Sequence, residues 1–117
     1  MPSIVKTPPE LRLANLGHDR DTGELLIVNL PKYVCPECDA LTPFAIGEAS
    51  LSETDRKALD AVSGEVKPYE TEHSDFYCRV CGRAVRVVCR VHEFAMSAYK
   101  YHPTLVWEMA TDGSVDR

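Results

Sequence analysis

Hydrophobic residues along this chain recur mainly in short runs, many with the two-residue period of a β-strand. Apolar runs at residues 11–16 and 24–30 flank the segment GHDRDTG, whose Asp and Gly residues are typical of turns. This arrangement predicts a β-hairpin. Both faces of the second run are apolar, so we expect a strand that is buried on both sides and ends at Pro31.

Strand patterns also follow each of two Cys-x-x-Cys motifs. After the first motif, residues 44–46 predict a return strand. After the second motif the alternation is regular, with one face formed by Val85, Val87, Cys89 and Val91 and the other by Arg86, Val88, Arg90 and His92. Residues 97–109 predict one or two further strands interrupted at Pro103.

The clearest helix pattern lies between the two motifs, at residues 50–63. Two pairs of residues at its start have the spacing of an N-terminal capping box: Ser50 with Glu53, and Ser52 with Asp55. Gly64 is placed to end the helix. The apolar stripe is narrow, which predicts a surface helix packed on one side through Ala58, Leu59, Ala61 and Val62.

Together these elements predict a single, mainly β domain of the small α+β class. Its predicted parts are an extended proline-rich arm, a hairpin with the first motif, a helical and acidic insertion, the second motif with the C-terminal strands, and a tail: residues 1–9, 10–47, 48–75, 76–110 and 111–117. The predicted core covers the sheet with Leu26, Val28, Leu30, Val85, Val87, Cys89, Val91, Leu105 and Trp107.

Composition narrows the class of protein. With 117 residues, 44% hydrophobic and 26% charged, the chain has the makeup of an ordinary globular domain. It has no run of about 18 apolar residues for crossing a bilayer, and residues 1–12 lack the apolar stretch of a secretory signal. We therefore expect a cytoplasmic protein without a membrane anchor, whose five cysteines stay reduced and serve metal binding or redox chemistry rather than disulfides.

The two cysteine motifs are Cys35-Pro-Glu-Cys38 and Cys78-Arg-Val-Cys81. Both thiolates of such a turn reach one metal ion, and two turns complete the four ligands of a tetrahedral Zn²⁺. These segments, residues 33–46 and 76–92, resemble the two knuckles of the zinc-ribbon superfamily, in which a strand enters and leaves each cysteine pair. The resemblance implies a zinc-ribbon-like antiparallel sheet with one structural Zn²⁺ bound by the four cysteines. The 39 residues between the motifs exceed the usual separation of about 15–20, so the helix lies in a long insertion between the knuckles.

Other ligands and roles stay open. Cys89 and His92 are an alternative to the first motif as partners of Cys78 and Cys81, but they project from opposite faces of a straight strand. The valine neighbours of Cys89 favour a core thiol. His73 is a further candidate ligand, with an exposed loop histidine as the alternative. A sensor that releases zinc on oxidation is a weaker hypothesis for the motifs.

Charge is unevenly distributed along the chain. The formal net charge of −5 disfavours bulk attraction to nucleic acid or to an anionic membrane. Residues 76–102 nevertheless carry +4, and residues 48–75 carry −5. Basic side chains interleaved with aromatic residues are candidates for binding single-stranded nucleic acid: Arg79, Arg83, Arg86, Arg90 and Lys100. The alternative is internal pairing with the acidic connector through Glu65, Glu70, Glu72 and Asp75.

The sequence contains no phosphate-binding loop, nucleophile elbow, zinc-protease helix or paired-carboxylate motif, so we expect no enzymatic activity and no catalytic residues. Zinc ribbons occur widely in transcription, translation and replication machinery, often as protein-contact modules. The leading hypothesis from this resemblance is a non-enzymatic regulatory module that docks on a larger intracellular protein of a nucleic-acid machine. Direct single-stranded nucleic-acid binding through the basic residues is the alternative, and the oligomeric state is open.

Overall fold

The computed structural model describes residues 3–64, 70–96 and 98–109. Over these residues the protein is mainly β with a single α-helix, as the sequence predicts, and its strands form two antiparallel sheets instead of one. In chain order the elements are β1 (Ile4–Thr7), a 3₁₀ turn (Pro9–Leu11), β2 (Leu13–His18), β3 (Leu25–Val34), β4 (Leu41–Pro43), α1 (Glu53–Ser63), β5 (Thr71–Tyr77), β6 (Ala84–Ala95) and β7 (Ala98–Met109). The predicted tail at residues 111–117 lies outside the described residues.

The two cysteine motifs belong to different sheets. The larger sheet has the order β1-β7-β6-β5, and the smaller has the order β2-β3-β4. The first motif connects β3 to β4 and the second connects β5 to β6, so each motif forms the turn of an antiparallel hairpin. The return strand predicted at residues 44–46 instead lies three residues earlier, at Leu41–Pro43, because pairing with β3 begins directly after the turn. Phe44 follows this strand and is buried in the core.

The N-terminal segment is part of the larger sheet. Residues 4–7 form β1 and pair with β7 from Ile4↔Met109 to Thr7↔Val106. The extended conformation predicted for residues 1–9 is thus found at residues 4–7, but this stretch belongs to the sheet of the domain and is not a separate arm. Its β-branched residues favour a strand, and the prolines at positions 8 and 9 follow the paired segment instead of interrupting it.

The predicted hairpin of β2 and β3 is confirmed, but β3 continues through Pro31 to Val34. The pairing shifts register between Ala14 and Leu16, so residues 28–31 of β3 lie in an irregular stretch. A proline is tolerated there because its missing N–H would have no ladder partner. The same irregularity leaves Val28 and Leu30 54% and 57% exposed, so their predicted place in the core is wrong.

Strand β7 is continuous across Pro103. Its pairing with β6 shifts register between Val88 and Cys89, and Pro103 lies opposite Cys89 at this bulge. Bulges are among the few places in a sheet where proline costs little. Of the two predicted alternatives for residues 97–109, the structure thus forms one strand.

The main core joins residues of both sheets around three aromatic rings that the sequence analysis did not place there. Tyr33 packs edge-to-face on Phe76 with ring centroids 5.8 Å apart, and Phe44 stacks on Phe76 at 4.5 Å. Three predicted core residues are confirmed as buried here, namely Val85, Val87 and Cys89. Four more are partly buried, namely Leu26, Val91, Leu105 and Trp107.

The helix lies where the capping pattern predicts it. Of the two candidate caps, Ser52 is the one used, since its hydroxyl accepts the N–H of Asp55, and Gly64 ends the helix. Leu59 is the buried residue of its apolar face. The predicted acidic connector is wrong in its second half, because residues 71–77 form β5 at the edge of the larger sheet.

Candidate metal centre

Each cysteine motif forms a turn with the same pattern of backbone hydrogen bonds. We call residues 35–40 the first knuckle and residues 78–83 the second knuckle. The N–H of the first cysteine donates to the carbonyl of the sixth residue, from Cys35 to Ala40 at 3.1 Å and from Cys78 to Arg83 at 2.9 Å. The carbonyl of the first cysteine in turn accepts the N–H of the fifth residue, Asp39 at 2.9 Å and Gly82 at 3.0 Å.

The fifth residue of each knuckle has the left-handed backbone conformation. Its φ is 58° at Asp39 and 77° at Gly82. Glycine adopts this conformation without steric cost, and aspartate is among the few other residues that tolerate it. The small or polar residue after each motif is therefore a local requirement of the turn.

The two knuckles bring their four sulfurs together. All four Sγ atoms lie within 4.8 Å of one another, and two pairs join the knuckles at 3.6 Å each, Cys35 with Cys81 and Cys38 with Cys78. A tetrahedron with metal–sulfur bonds of about 2.3 Å has edges of about 3.8 Å. Separations of 3.6 Å are far longer than a disulfide bond, and all the cysteines are free. The donor set therefore fits a single metal ion.

Backbone N–H groups surround the sulfurs. The N–H of Ala40 bonds to Cys38 Sγ and the N–H of Arg83 bonds to Cys81 Sγ, at equivalent places in the two knuckles. Cys78 Sγ accepts two N–H groups of its own turn. Burial raises the pKa of the Cys78 thiol, but these N–H groups and the neighbouring thiols lower it to about 6. At Cys81, burial and the neighbouring thiols raise the pKa to about 12 in spite of the N–H of Arg83. An N–H···S bond by itself favours the thiolate, which is the form that binds metal.

The sulfur cluster is partly shielded from solvent. Cys35 and Cys78 are buried, and Cys38 and Cys81 are partly exposed. Over the described ranges these four cysteines are the one group of three or more metal-ligating side chains close enough to share an ion. Its ligands come from both sheets, so an ion bound there would connect the sheets covalently at the end where both hairpins turn.

The alternative ligands lie elsewhere. Cys89 is a buried core thiol, as predicted, and burial followed by the charge of Glu72 raises its pKa to about 12. His73 lies buried on β5 instead of in an exposed loop, and burial together with the charge of Arg86 lowers its pKa. His92 is exposed on β6. None of the three belongs to the sulfur cluster.

Arg86 is buried inside the protein, although the sequence placed it on a basic face. Its side chain is 2% exposed. The guanidinium donates two hydrogen bonds to Asp75, at 2.8 and 2.7 Å, and one to Asp60 of α1 at 2.7 Å. Asp75 is one of the partners that the internal-pairing alternative named, while Glu65 lies outside the described residues.

Three of the other four basic residues are also paired. Arg83 is buried and contacts Glu37 and Glu108, Arg90 pairs with Glu24, and Lys100 pairs with Asp19. Arg79 and Arg90 are exposed, whereas Arg83 is not. Of the two alternatives, the structure therefore favours internal pairing for Arg83 and Arg86, whose partners include the buried carboxylates Glu108 and Asp75.

A buried polar cluster next to the knuckles was not predicted. Its centre is Glu108, which is 0% exposed and accepts hydrogen bonds from four side chains: Thr7, Arg12, Tyr33 and Arg83. A single acidic residue within the apolar stretch of β7 was the available indication, since a charge in such a position is usually paired.

Comparisons of the chain with protein-family models, with curated proteins and with solved structures found no match. In the part of the chain that the structure describes, no helix has the length and apolar character needed to cross a membrane. The assignment of function therefore depends on the geometry of the cysteine cluster.

Proposed function

We propose that Cys35, Cys38, Cys78 and Cys81 hold one structural Zn²⁺. The single observation that carries this proposal is the convergence of four sulfurs from two distant turns to within 4.8 Å. Sets of four thiolates suit zinc or iron–sulfur chemistry, and a closed shell of four cysteines is typical of structural zinc. With four protein ligands the ion has no open position for a substrate, so its chemistry is to cross-link the chain.

The ion stabilises the contact between the two sheets. The first knuckle belongs to the hairpin of β3 and β4, and the second belongs to the hairpin of β5 and β6. Binding couples to folding, because thiolates that are distant in the unfolded chain are brought together. We therefore expect the apo protein to lose much of its stability.

On this scaffold the protein acts as a non-enzymatic module that docks on a larger intracellular protein. Val28 and Leu30 support a protein contact, since both are apolar, more than half exposed and close together in the irregular stretch of β3. The pairing of Arg83, Arg86 and Lys100 with carboxylates also favours a protein partner over a nucleic acid, whose phosphates need free cations.

Metal content tests the zinc proposal. Protein purified without added metal is analysed by elemental mass spectrometry beside the Cys35→Ser and Cys89→Ser variants. We expect one zinc per chain in the wild type and in Cys89→Ser, and little or none in Cys35→Ser. Absence of zinc from the wild type, or its loss with Cys89 but not Cys35, would contradict the proposal, and iron in its place would correct the metal.

A second experiment tests docking. Partners are captured from the source organism with the wild type and with a Val28→Asp, Leu30→Asp variant whose zinc content is unchanged. We expect a specific partner of the wild type to be lost from the variant. Capture of the same partners by both proteins would show that this part of β3 is not the contact.

A further inference from the structure

Glu108 lies at the centre of the buried cluster next to the knuckles. Its carboxylate accepts the hydroxyl of Thr7 at 2.9 Å, the hydroxyl of Tyr33, Arg12 Nε at 2.9 Å and Arg83 Nη1 at 3.4 Å. A buried carboxylate is expensive unless it is paired and hydrogen-bonded. Here two guanidinium groups balance its charge, and the four donors leave it well satisfied.

The partners of Glu108 connect it to both knuckles. Tyr33 lies two residues before Cys35, and Arg83 is the last residue of the second knuckle, whose N–H bonds to Cys81 Sγ. One carboxylate on β7 therefore contacts a side chain from each ligand-bearing hairpin. A shift of either hairpin along or across the other would break one of these hydrogen bonds.

Arg83 strengthens this link. Its Nη2 reaches Glu37, which lies between the two cysteines of the first knuckle, at 3.3 Å. The Arg83 side chain is 7% exposed, and its Nε has no hydrogen-bond partner among the described residues. A cation buried at this place fits a centre in which four thiolates and a divalent ion carry a net negative charge.

Tyr33 is held as a hydroxyl donor. Its side chain is buried, and its O–H donates to the Glu108 carboxylate. The same ring packs edge-to-face on Phe76, which lies two residues before Cys78. The strand that enters each knuckle is thus fixed by an aromatic ring at the same position, and Glu108 anchors the pair.

We propose that Glu108 is a positioning residue for the metal centre. It holds Tyr33 and Arg83, and through them the two knuckles, in the relative placement that four sulfurs need to share one ion. The inference rests on the proposed function, because it assigns a role toward the same metal. Outer residues that orient metal ligands typically change metal affinity by about 10- to 100-fold.

The test uses Glu108→Gln, which keeps the shape of the side chain and removes its charge. Zinc affinity is measured by competition with a chromophoric chelator, and the geometry is measured from the visible absorption of the Co²⁺-substituted protein. We expect affinity to fall by about 10- to 100-fold and the Co²⁺ bands to change shape. Tyr33→Phe, which removes one donor and keeps the ring, is expected to change both readouts in the same direction by less.

The matched control is Asp19→Asn. Asp19 is also a buried carboxylate, it pairs with Lys100 at 3.3 Å, and it lies in the β2–β3 turn instead of a knuckle. A purely structural role for Glu108 predicts that the two variants lower metal affinity in proportion to their loss of stability in denaturant, with unchanged Co²⁺ bands. The positioning role predicts changed bands for the Glu108 and Tyr33 variants alone.

The two proposals fail in different ways. If the wild-type protein binds no metal through four thiolates, the proposed function is overturned, and this inference with it. If the wild type binds metal and both Glu108→Gln and Tyr33→Phe retain its affinity and its Co²⁺ spectrum, the positioning role alone is overturned. Should Glu108→Gln fail to fold, Tyr33→Phe compared with Asp19→Asn decides the question.

Discussion

The first and second knuckles share a backbone and differ in their side chains. Both place two cysteines in a turn closed by the same two hydrogen bonds, and both have a left-handed residue at the fifth position. The sixth residue differs, being the small Ala40 in the first knuckle and the buried Arg83 in the second. The backbone of the metal-binding turn is therefore set locally, whereas the side chains that attach each turn to the rest of the fold differ between the two knuckles.

The strands that enter the two knuckles also share a position and differ in their side-chain contacts. Tyr33 and Phe76 hold equivalent positions, two residues before the first cysteine, and their rings pack against each other. Only the tyrosine carries a hydroxyl, and it donates to Glu108. The first knuckle is thus attached to the core by packing and a polar anchor at this position, and the second by packing here and by Arg83.

Loss of a ligand is the largest expected effect and tests whether the knuckles contribute equally. Cys38→Ser and Cys81→Ser occupy the same position in the two turns. Because each removes one of four thiolates, we expect both to weaken zinc binding by more than about 100-fold, beyond the effect of outer residues. Chelator competition measures this loss, with Cys89→Ser as the control. If one of these variants keeps the wild-type affinity for zinc, the knuckle that it alters does not bind the metal.

The packing of the entering strands gives the next effect. Phe76→Ala removes a ring that contacts both Tyr33 and Phe44, so we expect the free energy of unfolding to fall by about 3–5 kcal/mol. Tyr33→Phe leaves the ring and removes one donor from a buried carboxylate, with an expected loss of about 1–3 kcal/mol. Denaturant unfolding of the metal-loaded proteins measures both. The reverse order would show that the polar anchor outweighs the packing.

Substitutions at the fifth residue of the two knuckles are expected to change the free energy of unfolding by smaller amounts and in opposite directions. A Cβ at Gly82 meets no atom within 4 Å, so Gly82→Ala costs only backbone strain, about 1–2 kcal/mol. Asp39→Gly relieves the corresponding strain, and we expect it to be neutral or stabilising by up to about 1 kcal/mol. The same unfolding measurement applies. Destabilisation by Asp39→Gly of more than about 1 kcal/mol would give the aspartate side chain a role that the turn geometry does not.

The smallest expected difference is in how the stability contributed by each hairpin depends on pH. Residues 25–43 of the first hairpin contain no histidine, whereas His73 is buried on β5 near Arg86, Asp75 and Asp60. Because its pKa is lowered in the fold, the unfolded chain binds more protons, and stability is lost as pH falls below the ordinary histidine value of 6.5 toward the lower pKa in the fold. His73→Gln is expected to flatten this part of the curve. The free energy of unfolding of both proteins is measured between pH 7.5 and 5.5. An equal change with pH in the two proteins would contradict this role of His73.

The local elements could be predicted from the sequence. The four-residue spacing of each motif, the cap formed by Ser52 and the Asp and Gly residues of the first hairpin all act within a few residues, so their patterns are visible in the chain. The two motifs are distant in the sequence, but one metal ion needs four thiolates, so the cysteines also predict that the motifs lie close together in the fold. These features set the fold class and the candidate site.

The remaining features depend on tertiary contacts. Val28 and Leu30 have the pattern of a buried strand, but the register shift in β3 turns them to solvent. Arg86 has the pattern of an exposed base and is buried because Asp75 and Asp60 converge on it from β5 and α1. A pattern of residue types along one strand does not contain the position of such partners.

The most direct test of the central claim is the X-ray absorption spectrum of the purified protein at the zinc K-edge. If the two knuckles share one structural ion, the spectrum shows four sulfur neighbours at about 2.3 Å and no nitrogen or oxygen. Two or three sulfurs with lighter neighbours would show that the knuckles do not close one site. A protein that contains no zinc would contradict the claim outright.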